Sequence, residues 1–315
     1  QNGYLFLYDY RTDCTQLERR VEKMRQAGLQ KVEFLSRTEL DQRFGHLYLE
    51  STNLIGATWC PTDGFLYPDM VYQDSANAAA TLGAKIIRHA RVVQVEFKEN
   101  QPIAVLTDDG RRFAGDLFIN AGGAWSPKLS SLFNGHLIDV KARKRYPYTL
   151  EGLVGTGDFQ LTPEEFAKIP MTITPSGAYC RPEGKGSHTL VTGWLHAANH
   201  ETPSFDNQDS IEPGFHQGEF GMAVRKELGM YFLAGATSSI KAVSSGFYED
   251  TPDCNPFIDF DPRVPNLIHV TGFSGHGLMH APYSARIVAE LVAAGKNPGT
   301  IQLPFGIGQV DISTF

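Results

Sequence analysis

The sequence predicts an α/β chain in two parts: a layer of strand–turn–helix crossings, and a separate domain built on an antiparallel sheet. Three observations predict it. First, Asn266-Leu-Ile-His-Val-Thr-Gly-Phe-Ser-Gly-His-Gly-Leu-Met-His-Ala-Pro282 joins a β-prone run to a helical pattern through Gly272, Gly275 and Gly277. In that pattern Ile287 with Leu291, and Val288 with Val292, keep an i, i+4 spacing, and Gly295 stands where a left-handed cap belongs. Second, Leu117-Phe-Ile-Asn120 runs straight into Ala121-Gly-Gly-Ala-Trp125 and a helical stretch to Phe133. Third, from about Leu137 to Val243 turn residues are frequent and the strands short and irregular.

Each element follows in order. Tyr4-Leu-Phe-Leu-Tyr8 is strand-like, and Thr15-Gln-Leu-Glu18 has the spacing of a capping box. Leu17, Val21 and Met24 continue at helical spacing to a stop at Gly28. Val32 to Leu35 reads as a strand, and Ser36-Arg-Thr-Glu39 as a second capping box opening a helix towards Phe44. Pro68 suits a first helical position, and the helix runs through Val71, Ala79 and Leu82 to Gly83. Its alanines (Ala76, Ala78, Ala79, Ala80) would let it lie close to a sheet. Four strands follow: Lys85 to His89, Val92 to Phe97, Ile103 to Thr107 before the Asp108-Asp-Gly110 turn, and Leu117 to Asn120. In the irregular part, Ser176-Gly-Ala-Tyr-Cys-Arg-Pro-Glu183 reads as a strand ending at a turn, and Ser187 to Trp194 as its antiparallel partner.

The glycine turns admit two readings. A strand-to-helix turn brings bare backbone N–H groups and a positive helix end to one point, which suits a planar, oxygen-rich, partly anionic ligand. Alternatively the glycines serve only the dihedral angles of a tight turn. Apolar residues at 42% and charged residues at 20% are ordinary for a globular chain, and a formal net charge of −7 argues against nucleic acid as a partner. Cys14, Cys60, Cys180 and Cys254 lie far apart, so neither a disulfide framework nor a metal site is expected. His196 and His200 are four apart, but no Glu completes a zinc-protease pattern. No apolar run approaches a transmembrane length. No basic-then-apolar leader precedes Gln1, and the chain opens directly on a strand. An upstream segment, with any targeting signal, is therefore expected to be missing; the compartment is then the cytoplasm, or the mitochondrial matrix side if that segment carried a signal.

Together these motifs resemble the FAD-dependent oxidoreductases of the D-amino-acid oxidase, glycine oxidase and sarcosine oxidase superfamily. Four stretches carry the resemblance: Gly64-Phe-Leu-Tyr-Pro68 with Leu82-Gly-Ala84, Ile119-Asn-Ala-Gly-Gly-Ala-Trp-Ser126, Gly177-Ala-Tyr-Cys-Arg-Pro-Glu183, and Gly246-Phe-Tyr-Glu-Asp-Thr-Pro-Asp253 with Gly272-Phe-Ser-Gly-His-Gly277. Arg143-Lys-Arg-Tyr146 and Ser176-Gly-Ala-Tyr179 look closest to its FAD-dependent oxidoreductase domain-containing branch, some members of which assist assembly of respiratory complex I. The resemblance implies an incomplete FAD-binding Rossmann-like domain (61–136 and 246–315) and an antiparallel-sheet substrate domain (1–60 and 137–245). It is incomplete because the family begins with strand–GxGxxG–helix, and no GxGxxG occurs here. Either these residues are a fragment, or a partner chain supplies that unit, or flavin binding is lost.

Residue by residue, the resemblance places Val92 at the adenine through its backbone, and Ala121, Gly122 and Trp125 on the adenosine side. Gly275, His276, Gly277, Leu278 and Met279 fall at the flavin ring, their N–H groups facing its pyrimidine oxygen, where oriented donors stabilise growing negative charge. Tyr248 and Tyr179 fall on the substrate side. Gly246 stands where sarcosine oxidase carries a cysteine joined to FAD, so a non-covalent flavin is expected. Met279 stands where that enzyme has a lysine for the substrate carboxylate, so either the substrate lacks a carboxylate or it binds elsewhere, through Arg181. The lysine that helps activate oxygen aligns near Val191, which favours a dehydrogenase over an oxidase. The implied reaction is hydride transfer from the carbon beside an amine nitrogen to the flavin, leaving an imine that water hydrolyses. The implied partners are a small amine or amino-acid substrate and an unidentified electron acceptor. His276, Tyr248 and Arg181 are the catalytic candidates, and no metal is called for. The alternative function is a non-catalytic assembly or scaffold protein that keeps the flavoprotein fold, or an inactive fragment.

Overall fold

A computed structural model describes residues 2–45, 47, 52–151, 161–184, 189–194, 200–203, 210–211, 219–232 and 239–294. The Gly295 cap, His196 and the first two residues of the 187–194 strand lie outside them. The chain opens with β1 (Tyr4–Asp9), α1 (Cys14–Gln26), β2 (Glu33–Ser36), α2 (Arg37–Arg43) and β3 (Leu54–Cys60). Next come α3 (Pro68–Thr81), β4 (Val92–Lys98), β5 (Gln101–Thr107), β6 (Arg112–Ala114), β7 (Phe118–Asn120), a single 3-10 turn at Gly123–Trp125, α4 (Ser126–Leu132) and β8 (Lys141–Arg145). The middle holds β9 (Tyr148–Glu151), α5 (Pro163–Phe166), β10 (Met171–Ile173), β11 (Ala178–Pro182), β12 (Thr189–Trp194), β13 (His200–Glu201), α6 (Glu219–Tyr231) and β14 (Ser239–Val243). The chain returns through β15 (Gly246–Asp250), β16 (Phe257–Phe260), β17 (Leu267–Thr271) and α7 (Gly277–Ala294). None of the described helices is long and apolar enough to cross a membrane.

Local chemistry sets the ends of the early helices. Ser36 and Glu39 cap α2 reciprocally: the Glu39 N–H donates to Ser36 Oγ at 3.3 Å, and the Ser36 N–H to Glu39 Oε2 at 2.8 Å. The start of α1 corrects the expectation from spacing. Asp13, in an extended conformation, takes the Thr15 N–H at 2.9 Å and is the cap, so Thr15 is already helical. Gly28, at φ +107, closes α1 as the Leu29 N–H reaches back to Met24 O.

Two units divide the chain. Unit 1 comprises Gln1–Leu66, Arg145–Ala198 and Asp206–Gly246. Its eight strands run in the order β14-β9-β12-β11-β10-β1-β3-β2, antiparallel except for the β1–β10 pair. Period-two alternation gives the sheet two faces. Leu5, Leu7, Leu150, Ala178, Cys180 and Leu190 are buried on one, in a core shared with Val224 and Leu228 of α6. Tyr4, Phe6, Tyr179 and Arg181 alternate onto the other, where Phe6 is 41% exposed.

Unit 2 comprises Tyr67–Lys144, Asn199–Phe205 and Phe247–Phe315. It carries three small sheets, β13-β8-β15, β16-β17-β7 and β4-β5-β6. Strand β17 pairs antiparallel with β16 and parallel with β7. It is buried on both faces, as parallel strands are: Ile268 packs against Ile287 and Leu291 of α7, and Leu267 against Val95, Phe133 and Val264.

Two expectations fail in this unit. Lys85 to His89 forms no strand, because no described residues pair with it; every residue from 81 to 89 is exposed, including Ile86 and Ile87. Helix α3 has the Pro68 start and the small residues expected, yet none of its residues is buried, as close packing on a sheet would require. Met70 and Tyr72 are 61% and 57% exposed, and Leu82 beyond its end 89%. A 14-residue helix is marginal in water without a packed face.

Candidate cofactor site

Because β7 and β17 run parallel, their carboxyl ends lie on the same edge of one sheet, where open α/β sheets place ligands. The turn after β7 is built on Asn120, which is 3% exposed. Its Oδ1 accepts the Gly122 N–H at 3.2 Å, and its Nδ2 donates to Ser126 O at 3.0 Å, so its amide orientation is determined. Nδ2 also lies 3.2 Å from Nδ1 of His269, which must therefore accept, leaving the ring proton on Nε2. That Nε2 donates to Asp261 Oδ2 at 2.8 Å. Asp261 also takes the amides of His136 (2.6 Å), Arg263 (2.7 Å) and Val264 (2.9 Å). Burial alone would raise its carboxyl, but the His269 hydrogen bond and the three amides outweigh it and hold the group below the usual carboxylate range. A Cβ on Gly122 would meet the terminal Cδ1 methyl of Leu129, which would have to turn aside.

The turn after β17 has Gly272, Ser274 and Gly275 at φ +83, +50 and +90. A Cβ on Gly275 would strike the Tyr248 ring, so Tyr248 is the floor of this turn. At Gly277 the nearest atom to such a Cβ is Phe273 Cβ, at 3.4 Å, and the dihedral is not left-handed, so Gly275 is the stricter of the two.

The bare-amide expectation needs one correction. The His276 N–H is not free: it donates to Phe273 O at 2.8 Å, because the left-handed residues before it fold the chain into a tight turn. The Ser274 N–H goes to Glu249 O at 3.1 Å, and the Gly122 N–H is taken by Asn120. The first bond of α7 is His280 N–H to His276 O at 3.3 Å. The amides of Gly275, Gly277, Leu278 and Met279 have no partner among the described residues. These are the orphan donors of a helix start plus one, and Gly275, Leu278 and Met279 are exposed. The His276 ring stacks on His280 with centroids 6.2 Å apart, and burial first, then His276, pulls the His280 imidazole below its ordinary value.

Beside the Gly122 turn lies a cavity of about 610 Å³, lined by Arg91, Val92, Gly122, Trp125, Lys128 and Leu129 among others. The structure thus brings Val92, Gly122 and Trp125 together, with Ala121 adjoining in sequence. Tyr248, Gly275, His276, Gly277, Leu278 and Met279 gather at the β17 turn of the same unit. Tyr179 and Arg181 are on unit 1, on one face of β11; the Arg181 guanidinium lies 4.5 Å over the Phe65 ring, and its Nη1 donates to Pro182 O at 2.9 Å. At Gly246 a Cβ would meet only open space.

Asn120, His269, Asp261, Glu249 and Thr271 were not singled out from sequence. His269 offered a signal, since a histidine inside a β-prone apolar run must find partners when buried. Glu249 and Asn120 sit inside motifs whose glycines draw the eye first.

The family model of FAD dependent oxidoreductases (DAO) matches residues 1–291. The chain is 27% identical over 322 residues to "FAD-dependent oxidoreductase domain-containing protein 1" of Bos taurus, covering 93% of this chain and 62% of that protein. To the protein of the same name from Xenopus laevis it is 32% identical over 190 residues, 57% of this chain and 35% of the other. The chain therefore spans less than two thirds of the length of these relatives. Among solved structures, L-proline dehydrogenase from P. horikoshii superimposes with a TM-score of 0.77 at 24% identity, over 96% of this chain and 74% of that one, a likeness of fold.

Proposed function

This chain belongs to the family of FAD dependent oxidoreductases, and from that premise we propose that it serves the oxidation of a carbon–nitrogen bond in an amine or amino acid, as a dehydrogenase rather than an oxidase. When bound, FAD supplies the two-electron acceptor. The observation that carries the reading is the pair of turns at the ends of β7 and β17, with four unpartnered amides at one and a cavity at the other.

The residues present fit two ends of the cofactor. Val92, Ala121, Gly122 and Trp125 would hold the adenosine side against the cavity wall. The amides of Gly275, Gly277, Leu278 and Met279, with the positive end of α7, would oppose negative charge at the flavin edge. Gly246 offers no nucleophile, so the attachment is non-covalent. No phosphate-cradling GxGxxG is present in these 315 residues. Unit 2 is accordingly the cofactor-binding part and unit 1 the substrate part. There Arg181 would pair a substrate carboxylate and Tyr179 line its approach, the task that Met279 cannot perform. His276, exposed on the flavin turn, is the proton-handling candidate.

A βαβ unit outside these residues, in cis or from a partner chain, would complete the binding domain. Three features of unit 2, as its described residues show it, favour it: the open edge of β7, the unpaired β-prone stretch at 85–89, and the unburied α3.

Anaerobic addition of proline, sarcosine and other secondary amines to the FAD-loaded full-length protein tests the function. Bleaching of the visible flavin band is expected, with faster recovery through an artificial acceptor than through oxygen. No bleaching across a broad amine panel would leave the scaffold reading in possession.

A further inference from the structure

Resting on the FAD reading above, we infer that Glu249 is a positioning residue that holds the two cofactor turns as one piece. It sits on β15, next to Tyr248, with its carboxylate at the meeting point of both turns. Its Oε2 accepts the Thr271 hydroxyl at 2.8 Å. Thr271 is the last residue of β17, is fully buried, and its Oγ1 also lies 3.2 Å from the carbonyl of Gly123 in the other turn. The hydroxyl has one proton, and the shorter, charge-assisted contact takes it. Glu249 Oε2 itself lies 3.6 Å from where a Cβ on Gly123 would stand, so the carboxylate faces the β7 turn without a hydrogen bond to it. Its Oε1 receives the Phe273 N–H over a longer 3.4 Å, and its main-chain carbonyl receives the Ser274 N–H at 3.1 Å. Two residues on, the Thr251 N–H donates to Ser274 Oγ at 3.2 Å.

A carboxylate suits this task because it only accepts and has room for several donors. The neighbouring Asp250 is occupied by Arg143 at 2.7 Å. Among the described residues no cation pairs with Glu249, so its side-chain hydrogen bonds go to Thr271 and Phe273. The donors at Gly275 and Gly277–Met279 and the cavity beside Gly122 must keep a fixed separation to hold one rigid ligand. The Glu249–Thr271 pair, with the Thr271 hydroxyl set between the carboxylate and the Gly123 carbonyl, supplies that separation before the ligand arrives.

The test uses the full chain with Glu249→Ala, Glu249→Gln and Thr271→Val. Hydrogen exchange without cofactor is followed in peptides covering 121–126 and 271–278, with 189–194 of unit 1 as control, and FAD is then titrated. In Glu249→Ala we expect both turns to exchange about tenfold faster together, the control to stay unchanged, and the Kd for FAD to rise by about tenfold or more. Glu249→Gln keeps one acceptor oxygen and should recover most of both effects. Thr271→Val removes the hydroxyl set between Glu249 and Gly123 and should loosen both turns. Loosening of one turn alone, or unchanged FAD affinity in a folded Glu249→Ala protein, overturns the proposal. If Glu249→Ala does not fold, Thr271→Val with wild-type exchange in both turns overturns it as well. Should the unmodified protein take no FAD, the FAD reading falls, and the exchange measurements alone judge the coupling.

Discussion

The eight-stranded sheet of unit 1 and the β16-β17-β7 sheet of unit 2 obey the same pairing rules and end differently. Unit 1 covers its apolar face with its own helix: Leu150, Leu190, Val224 and Leu228 are all nearly inaccessible. Unit 2 covers β17 on both sides, but among the described residues it leaves β7 at an open edge and α3 with no buried residue. The difference teaches which described half buries its own apolar surface. Its strand-built core is covered by its own residues, whereas, among the described residues, its turn-bearing half presents apolar surface and strand edge of the kind proteins otherwise protect.

The largest effect expected is therefore in unit 1. Leu150 on β9 is fully buried in the shared core. Leu150→Ala should cost about 2–5 kcal/mol of unfolding free energy, measured by urea denaturation. A loss under about 1 kcal/mol would mean that this core is not packed as described.

Gly275→Val comes next. The residue sits at φ +90, and any Cβ meets the Tyr248 ring. Strain of about 1–3 kcal/mol is expected, concentrated in the turn, with a loss of FAD affinity and little change in unit 1. Gly277→Ala, which has ordinary room, should keep most of that affinity. Equal losses for the two variants would show that Gly275 is not the stricter glycine.

Asp261 gives a smaller, pH-dependent effect. Its folded carboxyl lies below its usual value, so the unfolded chain binds the proton more readily. The stabilisation is complete above the ordinary carboxyl range, near pH 4, and is lost as pH falls through the folded value. Asp261→Asn should cost about 1–3 kcal/mol at neutral pH, because an amide N–H₂ then faces donors. It should also flatten the acid limb of the stability curve. An unchanged limb would mean that other carboxyls dominate it.

What could be read from the amino acids divides along the range of the interaction. Gly28, the Ser36–Glu39 box and the left-handed Gly272 and Gly275 were legible because local sterics and nearby donors decide them. The choice of Asp13 over Thr15 as cap was a near miss of the same kind, settled by which residue stays extended. The Asn120–His269–Asp261 network was not legible, since Asn120 and His269 are 149 positions apart and meet only once β7 lies beside β17. The order of the large sheet, with β1 inserted beside β10, is likewise a product of long-range pairing. Lys85 to His89 failed for the converse reason: the β-prone pattern is present, but a strand exists only where another strand accepts its hydrogen bonds.

That failed strand leads to the smallest expected effect. Met70→Glu on α3 and Ile86→Lys on the unpaired stretch replace exposed apolar side chains, 61% and 52% accessible. If nothing in this chain covers them, the double variant should change unfolding free energy by no more than about 0.5 kcal/mol, and should reduce self-association. The same two charges should weaken capture of a nucleotide-binding βαβ unit added in trans or fused ahead of Gln1, because α3 and the 85–89 stretch would have to be buried against it. A destabilisation above about 1 kcal/mol in the chain by itself would place both residues inside its own core. The contrast between a self-covered sheet and an open one would then disappear.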